Sequence, residues 1–213
     1  MALLLLVRHG LTDSTGKRLY GWTPGVHLSD RGREQAERLA ERLAGVPIRA
    51  IYSSPLERCT ETAEPLAAAR SMEVQVHDDL GEVRYGEWTG RPLAQLARTK
   101  LWRMVQQVPS RARFPGGESL LEVQDRAVRA TDRILASHPK GTAAVFSHGD
   151  VIRLLLAHFT GVHPDLFQRL IVDPGSVSVV SAGDGIPRII KMNDTGGLAD
   201  LVPRKTARAR AGG

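Results

Sequence analysis

At 213 residues, with 42% apolar and 24% charged side chains, the chain suits one compact domain with a substantial core and is neither a disordered nor a fibrous sequence. No run approaches the roughly 18 consecutive apolar residues of a membrane span, and the single cysteine, Cys59, leaves no internal disulfide, which fits a reducing, cytoplasmic setting. The net charge of +6 invites a nucleic-acid reading, but Arg204, Lys205, Arg208 and Arg210 supply four of those charges from the tail, and no basic helix or aromatic-interleaved patch stands out elsewhere.

Leu3-Leu4-Leu5-Leu6-Val7 is a short apolar run closed by Arg8-His9-Gly10, and it reads as a buried first strand. In open α/β sheets ligands sit at the carboxyl ends of strands, and Arg8 and His9 fall there. The leucines do not read as a signal peptide, because no basic segment precedes them and Arg8 ends the run. Residues 11–26, rich in Gly, Thr, Ser and Pro, form a loop over the strand end. Within it, Tyr20-Gly21-Trp22 either walls a pocket or packs the loop down. Ser29 reads as the N-cap of a helix carried by Ala36, Leu39, Ala40 and Leu43 and stopped by Gly45. Ala50-Ile51-Tyr52 is a short strand, and Pro55 opens a helix to about Ala68. Arg58 then falls in the first turn, where the helix dipole also favours anions. Taken alone, Arg58 reads equally well as a surface residue paired with Glu57 or Glu61.

Val74-Gln75-Val76 is a third strand, leading into a loop where Glu82 stands beside Tyr85 and Trp88. Leu93 to Val108 reads as an irregular helical region, broken by Phe114-Pro115-Gly116-Gly117. Ser119 and Glu122 form a Ser-x-x-Glu capping box at the start of a helix to about Ser137. Ala143 to Phe146 is a buried strand whose carboxyl-end turn is Ser147-His148-Gly149-Asp150, with Asp150 as the cap of a helix over 151–159. Residues 177–180 and 188–191 are two closing strands around a turn at 182–185. Strands alternate with helices, so the expected fold is a single-domain, three-layer α/β/α architecture on a mostly parallel sheet. It spans residues 1–203, followed by a basic tail, 204–213, expected to be disordered.

Arg8, His9, Arg58 and His148 meet at one sheet edge in this reading, as a cationic cup with no carboxylate inside it. Guanidinium forks match phosphate bidentately, so the cup suits a phosphoryl dianion, and a neutral imidazole can attack phosphorus as a nucleophile. Glu82 is the best general acid for the leaving oxygen; Glu87, Asp13 and Asp150 compete with it. Among the seven histidines no pair has H-x-x-H or H-x-x-x-H spacing, and there is no His-Glu-x-x-His, so no metal site is expected and His27, His77, His138, His158 and His163 read as structural or surface residues. No Walker loop or G-x-G-x-x-G follows a strand.

Together, Val7-Arg8-His9-Gly10, Ser53-Ser54-Pro55-Leu56-x-Arg58-x-x-x-Thr62-Ala63, Glu82-x-x-Tyr85-Gly86-x-Trp88-x-Gly90 and Ser147-His148-Gly149 resemble the histidine phosphatase superfamily, in the branch of cofactor-dependent phosphoglycerate mutases and small phosphatases. The resemblance covers residues 3 to about 192 and implies a phosphoglycerate mutase-like fold. It also implies a phosphohistidine on His9, with Arg8, Arg58 and His148 on the phosphoryl oxygens and Glu82 as acid and then base. It implies no metal or organic cofactor. Thr15 and Gly149 are expected at the substrate, although Ser14 and Thr15 stand where members of the family commonly have tryptophan and asparagine. The chain lacks the longer insertion of the glycolytic mutases, which favours a phosphatase of a small phosphorylated metabolite. A phosphomutase is the runner-up and a non-catalytic phospholigand-binding protein is less favoured. Neither nucleic acid nor membrane is an expected partner, and a homodimer follows only by analogy with the family.

Overall fold

A computed structural model of the chain describes residues 2–182 and 185–196. A six-stranded sheet runs in the order β3-β2-β4-β1-β5-β6. Its first four positions, β3 (Val74–Val76), β2 (Ile48–Ser53), β4 (Thr142–Ser147) and β1 (Ala2–Arg8), are mutually parallel; β5 (Val177–Ala182) and β6 (Arg188–Asp194) add antiparallel pairs. The alternation of side chains along a strand splits β1 between two cores. Leu4 and Leu6 pack with α5 (Leu120–Ser137) and α6 (Gly149–Thr160) on one face, while Leu5 and Val7 pack with α1 (Asp30–Leu43) and α2 (Glu57–Arg70) on the other. All four are buried, each contributing about 1.5–3 kcal/mol of burial. The three layers are those expected. No helix among the described residues is long and apolar enough to cross a membrane.

Register positions the site. Arg8 pairs with Ser147 and Ser53 with Phe146, so three parallel strands end within one residue of the same level, at Arg8, Ser53 and Ser147. Ser29 caps α1 by accepting from Gly32 N–H, and the Ser119–Glu122 capping box opens α5 as expected.

The boundaries differ most in the following places. The helix expected from Pro55 starts at Glu57, because Leu56 N–H donates to Ser54 Oγ at 3.3 Å and the chain turns once before it coils. The region 93–108 divides into α3 (Leu93–Leu96) and α4 (Lys100–Gln107), where the Thr99 hydroxyl accepts from Trp102 N–H and starts a new helix. The last helix begins at Gly149, so Asp150 is in its first turn and His148 holds the cap position. The two closing strands are longer than expected. Part of the turn at 182–185, the boundary at 203 and the tail 204–213 lie outside the described residues.

Candidate active site

At the end of β1 the main chain is pinned: His9 N–H donates to Ser147 O at 3.0 Å and Gly10 N–H to Thr62 Oγ1 at 3.0 Å. The His9 ring is 6% exposed, with Nδ1 2.7 Å from Gly10 O. A carbonyl only accepts, so Nδ1 carries the proton and Nε2 the lone pair. Burial, then the charges of Arg58 and Arg8, hold the imidazole well below its ordinary value. It is neutral, with a nitrogen free to act as a nucleophile.

Two guanidiniums frame it. Arg8 Nη1 donates to Val172 O at 2.5 Å while its Nε is buried with no hydrogen-bond partner. Gly149 makes room for this group, since a Cβ there would stand 3.2 Å from Arg8 Cζ. Arg58 is 4% exposed; Nη2 donates to Gly21 O at 2.9 Å and Nη1 is buried without a partner. The surface pairing open to Arg58 does not form, because Glu57 and Glu61 instead accept from Gly25 N–H and Leu28 N–H. His148 is fully buried, its ring centroid 5.2 Å from that of His9. Arg58 Nη2 lies 3.2 Å from His148 Nδ1, and a guanidinium only donates, so Nδ1 accepts and Nε2–H donates to Ser54 Oγ at 2.8 Å. The same Nδ1 edge lies 3.8 Å from Glu82 Oε2. Burial first, then the charges of Arg58 and its neighbours, keep this second imidazole well below its ordinary value.

Glu82 accepts from Val83 N–H at 2.9 Å, and burial, then the charge of Asp150, push its carboxyl up to about 7. Its loop is fastened from behind by Arg126, whose guanidinium donates to the carbonyls of Asp79 and Gly81 at 2.8 Å and of Glu82 at 2.9 Å, and pairs with Glu118. From the other side Trp22 Nε1–H donates to Glu82 O at 2.5 Å. The indole lies so close to Gly81 that a Cβ there would stand 2.2 Å from Trp22 Cζ2. The Tyr85 hydroxyl donates to Asp150 Oδ2 at 3.3 Å, and burial raises its phenol well above the ordinary value, so it remains a donor.

One cleft of about 360 Å³ has Arg8, His9, Arg58, Glu82, Tyr85, Gly149 and Asp150 among its walls, whereas His148, expected there, lies buried behind them. The expected cup without a carboxylate is therefore corrected: Glu82 and Asp150 share it. Thr15 lines it too, but its hydroxyl is engaged within the loop with Thr12 N–H and Thr12 Oγ1, both at 3.0 Å. Tyr20 and Gly21 are walls, whereas Trp22 buttresses the Glu82 loop. Asp150 is not the helix cap; its other oxygen accepts from Arg153 Nη1 at 3.1 Å. Asp13 and Glu87 do not line the cleft. His27, His77, His138, His158 and His163 find partners elsewhere, with Glu61, Tyr52, Tyr52, Phe159 and Asp165 respectively. Among the described residues no cluster could hold a metal ion.

Two arginines escaped the sequence reading. Arg126 sits on the buried stripe of α5 with Val123, Ala127, Ala130 and Ile134. A guanidinium on an apolar face signals a buried partner, which was the available clue. Arg153 lines the cleft from α6, and only its spacing from Asp150 hints at this.

The family model described as "Histidine phosphatase superfamily (branch 1)" matches residues 4–195. Phosphoserine phosphatase 1 of Hydrogenobacter thermophilus is 31% identical over 203 residues, covering 94% of this chain and 96% of that protein. The bifunctional protein Rv2228c of Mycobacterium tuberculosis is 35% identical over 199 residues, which are 92% of this chain but only 54% of that longer protein. The mycobacterial glucosyl-3-phosphoglycerate phosphatase Rv2419c, solved with VO3, superposes with a TM-score of 0.81 at 28% identity, covering 90% of this chain and 98% of that one.

Proposed function

This chain belongs to branch 1 of the histidine phosphatase superfamily, and we propose that it is a phosphomonoesterase of a small phosphorylated metabolite working through a phosphohistidine on His9. One observation carries the reading: two guanidinium nitrogens, Arg8 Nε and Arg58 Nη1, are buried without partners beside an imidazole whose Nε2 lone pair is free. A buried donor without an acceptor is costly, and phosphoryl oxygens supply acceptors to both. The phosphatase names of two similar proteins, in Hydrogenobacter thermophilus and in mycobacteria, support the same reading.

His9 Nε2 attacks phosphorus as the bond to the leaving oxygen breaks, and the Glu82 carboxyl gives its proton to that oxygen. Water then attacks phosphorus, the Glu82 carboxylate takes its proton, and the phosphorus–nitrogen bond breaks to release inorganic phosphate. Arg8 and Arg58 hold the transferring oxygens. His148 does not line the cleft; its Nδ1 accepts from Arg58 Nη2 and its Nε2–H donates to Ser54 Oγ, so in this arrangement it holds the Arg58 guanidinium in place behind His9. No step calls on a metal. The buried free thiol of Cys59 supports a reducing, cytoplasmic setting.

Phosphate release from an aryl phosphate, measured with chelator for wild type and His9→Ala, tests the reading. Chelator-resistant release that disappears in the variant supports it, and release that survives His9→Ala overturns it. Little release without a bisphosphorylated primer would favour the mutase.

A further inference from the structure

The neutral His9 ring has one proton and two nitrogens to carry it, and the nucleophile is lost if that proton moves to Nε2. Its place on Nδ1 depends on one acceptor, Gly10 O, at 2.7 Å. That carbonyl belongs to the peptide joining Gly10 to Leu11. The opposite edge of the same peptide, Leu11 N–H, donates to Gln35 Oε1 on α1 at 2.8 Å. Gln35 stands one turn before the buried Leu39, so its side chain turns inward to the end of β1. Its amide has one workable orientation. Nε2–H donates to Pro174 O at 3.2 Å, and a carbonyl only accepts, so the amide oxygen must face Leu11. Gly175, with a φ of 74°, closes on the stem, since a Cβ there would stand 3.3 Å from Gln35 Cβ.

The peptides on either side are held independently. Gly10 N–H donates to Thr62 Oγ1 at 3.0 Å, and Leu11 O accepts from Ser29 N–H at 2.9 Å. The peptide between them can still turn about its two flanking bonds, and glycine at position 10 offers little resistance to that. Such a turn takes the carbonyl away from His9 Nδ1. Gln35 opposes it. We propose that Gln35 is a positioning residue for the nucleophile: by holding the Gly10–Leu11 peptide it keeps the ring proton of His9 on Nδ1 and the lone pair on Nε2. Gln35 does not line the cleft, so it acts through the main chain and touches no substrate. This rests on the phosphohistidine reading of the same site and adds what orients its nucleophile.

Proton–nitrogen correlation spectra of chain labelled with nitrogen-15 histidine, taken at pH 8, read the tautomer without turnover. The His9 signals are assigned by their loss in His9→Ala. Wild type should show a protonated Nδ1 and a bare Nε2, whereas Gln35→Leu should make Nε2–H the major form. In that variant the single-turnover rate of His9 phosphorylation by 4-nitrophenyl phosphate should fall about tenfold to hundredfold, the usual range for losing a group that orients a functional imidazole. The inhibition constant of inorganic phosphate should stay within about twofold of wild type, because the arginines that hold phosphoryl oxygens are untouched. Gln35→Glu keeps an acceptor for Leu11 N–H and should restore the Nδ1–H ring and most of the rate. If Gln35→Leu does not fold, Gln35→Met is read against the same expectations. An Nε2–H ring in wild type, an Nδ1–H ring that survives loss of the amide, or a rate lost equally in Gln35→Glu would overturn the proposal. Nitrophenolate release that survives His9→Ala would instead count against the phosphatase reading, whichever nitrogen carries the proton.

Discussion

Replacing Glu82 with glutamine removes the one proton that the mechanism must move while keeping the side chain's shape. The wild-type carboxyl has its pKa near 7 instead of 4.5. That difference amounts to about 3 kcal/mol against the charged form. About nine-tenths of molecules then carry the proton at pH 6 and about one-tenth at pH 8. For an alkyl phosphate, whose leaving oxygen needs that proton, kcat/KM should fall about tenfold per pH unit above 7 in wild type. Glu82→Gln should lose about 10²–10⁴-fold at pH 6 and show no such limb. With 4-nitrophenyl phosphate the leaving group departs unaided, so the variant should release one equivalent of nitrophenolate in a burst and then stall for want of a base. Stability gives the matching sign. A carboxyl raised in the folded state stabilises fully below its unfolded value of 4.5, and that contribution disappears as pH rises through 7. Urea unfolding at pH 8 should therefore find Glu82→Gln more stable than wild type by up to about 3 kcal/mol. An alkaline limb at the same pH in the variant would refute the assignment of the acid.

Two further substitutions probe what holds that acid, and a third probes the helix behind it. Arg126→Met leaves three loop carbonyls and the Glu118 carboxylate without their donor, which should cost about 3–5 kcal/mol, read from the denaturant midpoint. Gly81→Ala drives a methyl into Trp22; kcat/KM for an alkyl phosphate should drop about a hundredfold through displacement of Glu82, and an unchanged value would show that the indole yields freely. Ser119→Ala removes one arm of the α5 capping box, costing about 1 kcal/mol in urea unfolding with activity unchanged.

The core of the site was readable because each of its parts interrupts a strand or opens a helix. Arg8-His9 ends an apolar run, His148 ends another, and Arg58 follows a proline-marked turn; strand register then brings these ends together. The assignment of Glu82 came from its neighbours and the family pattern, and its burial was not visible in the sequence. What escaped was set by long-range contacts. Arg126 reaches carbonyls 44 to 47 residues away, and no local spacing encodes that. Asp150 reads as a cap in the sequence because aspartate favours helix starts. The structure starts the helix two residues earlier, at Gly149, which makes space for Arg8. The Trp22 ring was ambiguous for a similar reason: its partner is a main-chain carbonyl 60 residues on.

The most direct measurement is of the intermediate itself. Wild type mixed with an aryl phosphate and quenched in base within the first turnover should yield chain carrying one phosphoryl group, stable to alkali and labile to acid. Peptide mapping by mass spectrometry should place it on His9. A label on any other residue, or none in a chain that is turning over, would contradict the phosphohistidine account.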